Sequence, residues 1–447
     1  MNIPDNKLNN KTNQLSISKL FEVEYDAPFV LLIISLIFAS FRPDRLLPGG
    51  EVLMYFPTII VVILFFYWLK IPQKTLNNYQ TKLFIAFVIL MVLHIPFVKN
   101  YGFAKAIVKG FFIYGVTSFL FTVQFINTPG KIIKYIKLMV ILKVFVAVLG
   151  IVGKGKVDLP VLRDENDFCL LMNIYLPFAY FLGQQEENRS KKFLYYAIAG
   201  IFIIGNITSF SRGGFLGLVA VGLYMFYKSK RKAVAVIIML VFGLVIFFAA
   251  PQTYWDEINT IKTEGSSEGT GKIRIESWKA GWKMFLDHPL FGVGPGNFGP
   301  WFPDYYPFNP GKMWGRVVHS LYFTLIPEMG LVGIFLFIGM LRGNYKDHSY
   351  ISSFEEKRVE TSASLNYYNK NLDKAEKTIK TLQYLSMAYF GAMLAYLSTG
   401  TFISVLWYSY FWQLTAFWIV TANAARQVEK EALCYQMKRT LKKNNTT

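Results

Sequence analysis

Twelve apolar runs, most of them 16 to 23 residues long, dominate the sequence and leave few folds open to it. They lie at 28–41, 52–69, 83–98, 104–126, 132–152, 167–183, 193–210, 212–227, 233–250, 319–341, 382–399 and 401–421. A helix needs about 20 apolar residues to cross the hydrocarbon core of a bilayer. The runs therefore predict an all-α integral membrane protein of about twelve transmembrane helices. Hydrophobic residues make up 53% of the chain and charged residues 17%, against about 25% charged in soluble domains. That composition excludes a cytoplasmic enzyme, a disulfide scaffold and a disordered chain. The first run follows some 27 polar residues and has no small-residue cleavage site after it, so it reads as a span and not a signal peptide.

The basic residues test the count. With the N-terminus inside, the inner segments hold 30 Lys and Arg and the outer loops 15, seven of them in the single long loop 251–318. Without that loop the excess is 30 to 8, which orients the chain N-in and C-in. The net charge of +19 then follows mainly from this bias and not from nucleic-acid binding, for which no basic block interleaved with aromatics is present. Cys169 and Cys434 lie far apart with no zinc-ligand spacing around them.

The expected organisation is a bundle of about nine spans over 1–250 and an outer loop over 251–318 carrying amphipathic helices and the chemistry. Span ten (319–341), a charged inner segment (342–381), the last two spans (382–421) and a basic inner tail (422–447) follow. An outer loop of this length without linker composition is usually functional. Within it, 272–287 reads as an amphipathic helix. Ile275, Trp278, Trp282 and Phe285 form a face fit to lie on the bilayer, while Arg274 shares another face with Ser277 and Gly281. The glycines of FGVGPGNFG (291–299) read as turn formers; no Lys-Ser/Thr follows and Pro295 interrupts, which argues against a nucleotide fingerprint.

Three cationic positions stand out. Arg212, in SFSRGGFLGL, lies between two spans with almost no loop between them. It either snorkels to the interface or, with Gly213, Gly214 and the amides of the following helix, faces an anion. Arg274 either stacks on Trp278 or offers its fork to phosphate oxygens. His319 opens the tenth span, where an imidazole either caps a helix or takes a proton from a hydroxyl. Asp164/Glu165 is the one adjacent acidic pair near a span; solvated charge at a helix start is the simpler reading of it, and a metal pair the other. Glu328, half a helical turn out of phase with His319, reads as a polar contact between helices.

The order of these motifs resembles the O-antigen ligase/polymerase superfamily of bacterial membrane glycosyltransferases. The residues that carry the resemblance are DENDFCLLMNIYLPFAY (164–180), SRGG (211–214), R-x₃-W at Arg274 and Trp278, HPLFGVGPGNF (288–298) and HSLY-x₅-E-x-GLVG (319–333). The resemblance implies transfer of a glycan from an undecaprenyl-diphosphate carrier to an acceptor hydroxyl at the periplasmic face of the bacterial inner membrane. It implies inversion at the anomeric carbon and no nucleotide, metal or other cofactor. Lipid A-core, a growing polysaccharide and a protein are all acceptors the superfamily admits, so ligase, polymerase and protein O-oligosaccharyltransferase stay open.

Mapped onto this chain, the resemblance assigns the diphosphate to Arg212 and Arg274 and the catalytic base to His319. Arg163 and Arg316 are further candidates for the anion. Tyr322 is a candidate for the site wall, and Trp301 and Trp314 are candidates for sugar stacking, although interface anchoring explains Trp in such a loop as well. A transporter or flippase of the same lipid, and a scaffold of an envelope complex, are the competing classes. The dissimilar halves of the chain disfavour the first, and the three cationic positions disfavour the second.

Overall fold

The computed structural model describes residues 23–46, 49–72, 75–157, 159, 162, 164–230, 232–233, 236, 270–306, 314–354 and 370–444. Its main helices are α1 (Ala27–Phe41), α2 (Phe56–Lys70), α3 (Tyr79–His94), α4 (Tyr101–Val116), α5 (Pro129–Val152), α6 (Glu165–Gln185) and α7 (Arg189–Thr208). α8 (Arg212–Lys228), α9 (Thr270–Asp287), α10 (Phe298–Tyr305), α11 (Leu321–Ser352), α12 (Lys370–Thr399) and α13 (Ser409–Asn444) follow. The described residues contain no strand. Among the described residues, five stretches are long and apolar enough to cross a membrane: Gly50–Lys70, Tyr79–Phe97, Tyr101–Phe125, Pro129–Val152 and Leu321–Ser352. α1 is apolar but shorter.

The helices differ from the apolar runs in three places. Most of the expected ninth span, 233–250, lies outside the described residues. The tenth helix starts at Leu321, after His319, because Ser320 in extended backbone caps it by accepting from the Phe323 amide. The last helix starts at Ser409 and not at 401; Gly400–Phe402 form a 3₁₀ turn and an irregular stretch reaches Tyr408.

α6 is the centre of the bundle. Nearly every residue from Phe168 to Gly183 is buried, as expected of a helix apolar on all sides. It packs on α7, α8 and α12. The outer surface is greasy: Phe66 is 58% exposed, Phe193 75% and Phe335 69%, a surface that suits lipid and not water.

α11 is broken. Pro327 lacks an amide and Gly330 adopts φ 59°, ψ −164°, which frees backbone groups that bilayer hydrocarbon cannot satisfy. The segment between α9 and α10 satisfies them. Val293 N donates to Pro327 O at 2.8 Å and Gly294 N to Glu328 O at 2.9 Å. In return Leu331 N donates to Pro289 O at 2.8 Å and Val332 N to Leu290 O at 3.1 Å. The Glu328 carboxylate completes the clasp, accepting from Gly296 N (2.8 Å), Phe298 N (3.0 Å) and Trp407 Nε1 (3.2 Å). Glu328 is thus the polar contact expected of it, and it joins loop to helix as well as helix to helix. The turn role of the glycines also holds. Gly292, Gly294 and Gly296 have φ of 81°, 92° and 70°, and a Cβ on Gly292 would lie 2.6 Å from the Pro327 carbonyl oxygen.

Replacing Glu328 with Ala leaves two amides and an indole without their acceptor, at a cost of about 3 kcal/mol or more. Glu328→Ala is expected to lower the detergent-solubilised melting temperature by several degrees, and Glu328→Gln by less. Equal melting of Glu328→Ala and wild type would contradict the clasp.

Candidate functional site

Short polar side chains set the geometry where α6 and α8 begin. Asp164 caps α6, accepting from the amide of Asn166 at 2.8 Å and from its side-chain Nδ2 at 2.7 Å. The Asn166 side-chain oxygen accepts from Ser211 Oγ at 2.6 Å. Ser211 in turn caps α8, accepting from Gly214 N at 3.0 Å, so Arg212 becomes the first helical residue. Beneath them Asn173 donates to Gly214 O at 2.8 Å and Asn206 to the Asn173 side chain at 2.8 Å. The Cys169 sulfur lies 2.6 Å from Ser209 Oγ.

The two glycines of SRGG serve packing more than anion approach. A Cβ on Gly214 would sit 2.3 Å from Cys169 Sγ, and one on Gly213 would sit 3.0 Å from Phe402 Cβ. Both glycines are buried. Phe210, just before the motif, has φ 56°, a left-handed backbone that non-glycine residues seldom adopt.

The amphipathic helix expected over 272–287 is α9. Its inward face is formed by Ser277, Ala280, Gly281 and Met284, all buried, and it packs on α11. Ile275 and Trp282 are 47% and 48% exposed, as a bilayer-facing surface requires. Trp278 leaves that face: its ring stacks on Phe323 at 5.4 Å with 4° between the planes, and reaches Phe402 at 6.5 Å. Phe402 therefore bridges the start of α8 to the helix that carries Arg274. Between α9 and α11 lies a groove of about 430 Å³, walled by Ile275, Trp278, Trp282 and Phe323, with Lys279 and Lys283 completing it.

His319 sits in the extended approach to α11 with φ 52° and is partly buried. Burial pushes its imidazole below the ordinary value; Arg274 pushes further the same way, Asp164 opposes, and Arg316 adds a smaller push down. A histidine so held is neutral at pH 7 and able to accept a proton. Four side chains from three segments (Asp164, Arg274, Arg316 and His319) thus share one electrostatic neighbourhood, and the Asp164–Asn166–Ser211 chain brings the start of Arg212's helix beside it.

The remaining candidates lie otherwise. Trp301 has Lys99 Nζ 4.8 Å above its ring and His288 5.1 Å from it, and Lys99 also pairs with Asp304. Trp314 is 54% exposed and meets Phe103 edge-on at 5.4 Å. These contacts, with Asn100 N donating to the Asn297 side chain at 2.8 Å, moor the chain around α10 to the start of α4. Both tryptophans thus have contacts within the protein. Tyr322 donates to Leu397 O at 3.1 Å and so ties α11 to α12. Arg163 lies outside the described residues.

Residues 197–338 match the family model of O-antigen ligase. Over that stretch the chain is similar to O-antigen ligases, in keeping with its motifs. The matched stretch takes in Arg212, Arg274, Arg316, His319 and the Glu328 clasp, and leaves Asp164 and Asn166 outside. No curated protein matches the chain significantly. The matched stretch ends within α11, one of the helices long and apolar enough to cross a membrane.

Asp164 stands at a helix start, as the simpler reading of the Asp164/Glu165 pair has it, and caps that helix. What the sequence does not show is its closeness to His319. Among the described residues no three His, Cys, Asp or Glu side chains group as a metal site would require.

In histidine-labelled protein, the NMR signal absent from His319→Gln is expected to titrate below about 6.5, the ordinary imidazole value. Removing the opposing charge in Asp164→Asn should lower it further, and Arg316→Gln should raise it. A His319 titrating above the ordinary value would refute this electrostatic reading.

Proposed function

We propose that this protein is an inverting, metal-independent glycosyltransferase that moves a glycan from an undecaprenyl-diphosphate carrier to an acceptor hydroxyl. The observation that supports this most is a partly buried His319, biased toward its neutral form, beside Arg274 and Arg316. A neutral imidazole takes the acceptor's proton while its oxygen attacks the anomeric carbon. The bond from that carbon to the diphosphate oxygen breaks on the opposite side, and its electron pair leaves with the diphosphate. Arg212 and Arg274 neutralise the charge that develops there. Asp164, the one carboxylate pulling His319 upward, steadies the imidazolium that results. Arg163 is a further cationic candidate for the same anion.

The apolar groove of Trp278, Trp282 and Phe323 beside Arg274 suits the polyprenyl chain of the donor, with Lys279 and Lys283 toward its phosphates. The reading places the site on the periplasmic face of the inner membrane, where lipid-linked glycans are consumed. Lipid A-core is the acceptor of the ligase reading; more of the same lipid-linked repeat serves a polymerase and a protein hydroxyl an O-oligosaccharyltransferase.

Purified protein in liposomes, given an undecaprenyl-diphosphate oligosaccharide, would be offered the three acceptors separately. Product on one of them is expected. His319→Ala should slow transfer by about 10²–10⁴-fold, the usual worth of a general base. Arg274→Lys should also fail, since an ammonium cannot reproduce the two-pronged guanidinium contact. Undiminished transfer by both variants would remove the mechanism. Donor crossing the bilayer with no product on any acceptor would favour a transporter.

A further inference from the structure

α8 carries Arg212 at its first position and Lys228 at its last, so its far end lies about 24 Å along the helix from the candidate site. At that end α8, α11 and α12 enclose a second cavity of about 570 Å³. Its aromatic wall is Tyr224, Tyr227, Tyr345 and Phe390; its polar groups are Lys228, His348 and the hydroxyls of Ser349, Ser352 and Ser353. The wall is fixed in place. Tyr224 donates to Met387 O at 3.1 Å, and the His348 ring packs 5.1 Å from Phe390. His348 Nδ1 is engaged by Ser386 Oγ at 2.8 Å, which leaves Nε2 as the nitrogen it can offer the cavity.

The chemistry of this lining is specific. No carboxylate takes part in it, so Lys228 sets a positive potential beside the hydroxyl donors of Ser349 and Ser352, an arrangement that suits phosphate oxygens; the Ser353 hydroxyl donates to Tyr350 O at 2.9 Å. Lys230 and Lys232 follow closely in the sequence but form no part of the lining. Tyr227 and Tyr345 are 73% and 62% exposed, the position that interfacial tyrosines take at headgroup depth. Basic pockets between helices at a membrane surface hold anionic headgroups in this manner. We propose that the cavity binds the phosphate headgroup of an anionic phospholipid from the leaflet opposite the His319 site. The assignment does not depend on the transfer reaction.

The test uses full-length protein taken from nanodiscs of equimolar phosphatidylglycerol and phosphatidylcholine into native mass spectrometry. One retained phosphatidylglycerol per protein is expected. Lys228→Gln should reduce its retention by about fivefold, the worth of one lysine near an anionic surface. The double variant Ser349→Ala/Ser352→Ala, which leaves the charge in place, should also reduce it. Lys230→Gln, outside the cavity lining, should not. Equal loss in Lys230→Gln would mean diffuse surface attraction and overturn the site. So would equal retention of the two lipids. Thermal stabilisation by inorganic phosphate that Lys228→Gln abolishes, with no lipid preference, would assign the cavity to free phosphate and overturn the lipid reading.

Discussion

A bilayer offers no water to backbone amides and carbonyls, and that constraint governs this molecule where α11 breaks. Pro327 and Gly330 interrupt the helix in a region where unpaired backbone groups are costly. The segment between α9 and α10 answers with four backbone hydrogen bonds to the break, and Glu328 adds three more contacts. The loop is therefore fastened to the bundle by the same bonds that make the broken helix tolerable. α9 on one side of the clasp and His319 at the head of α11 on the other inherit their relative positions from it.

The cationic neighbourhood follows from that placement. Arg274 arrives on α9, Arg316 and His319 on the approach to α11, and Asp164 from the start of α6. Two guanidinium groups near a partly buried imidazole disfavour its protonation, while one carboxylate moderates the effect. The balance needs no contact between adjacent residues in sequence. It comes from the capped starts of α6 and α11, at Asp164 and Ser320, meeting α9.

Much of this is legible before folding, and the failures have identifiable causes. The apolar runs foretell most helices because their length is imposed by the bilayer. The α9 register was readable too, since Arg274, Ser277 and Gly281 share a face at helical spacing. Partners far apart in sequence were not: nothing local tells that Glu328 meets Gly296, Phe298 and Trp407. The glycines of SRGG were legible as a close approach, but the approaching groups are Cys169 and Phe402. Trp301 and Trp314 left two readings open because a tryptophan that anchors a loop and one that stacks on sugar look alike in sequence. The last helix begins eight residues late because apolar content alone does not distinguish helix from the irregular stretch before Tyr408.

Two non-glycine residues hold left-handed backbone where the chain turns into the site: Phe210 before SRGG and His319 before α11. Each conformation costs roughly 1–2 kcal/mol for an ordinary side chain, and glycine or asparagine would bear it more easily. At His319 the fold thus tolerates a residue its backbone disfavours. Pressure for stability and pressure for an imidazole pull this position in opposite directions. A search for more robust versions of the protein would be drawn to replace it, and the gain in robustness would come at the expense of the proposed proton acceptor.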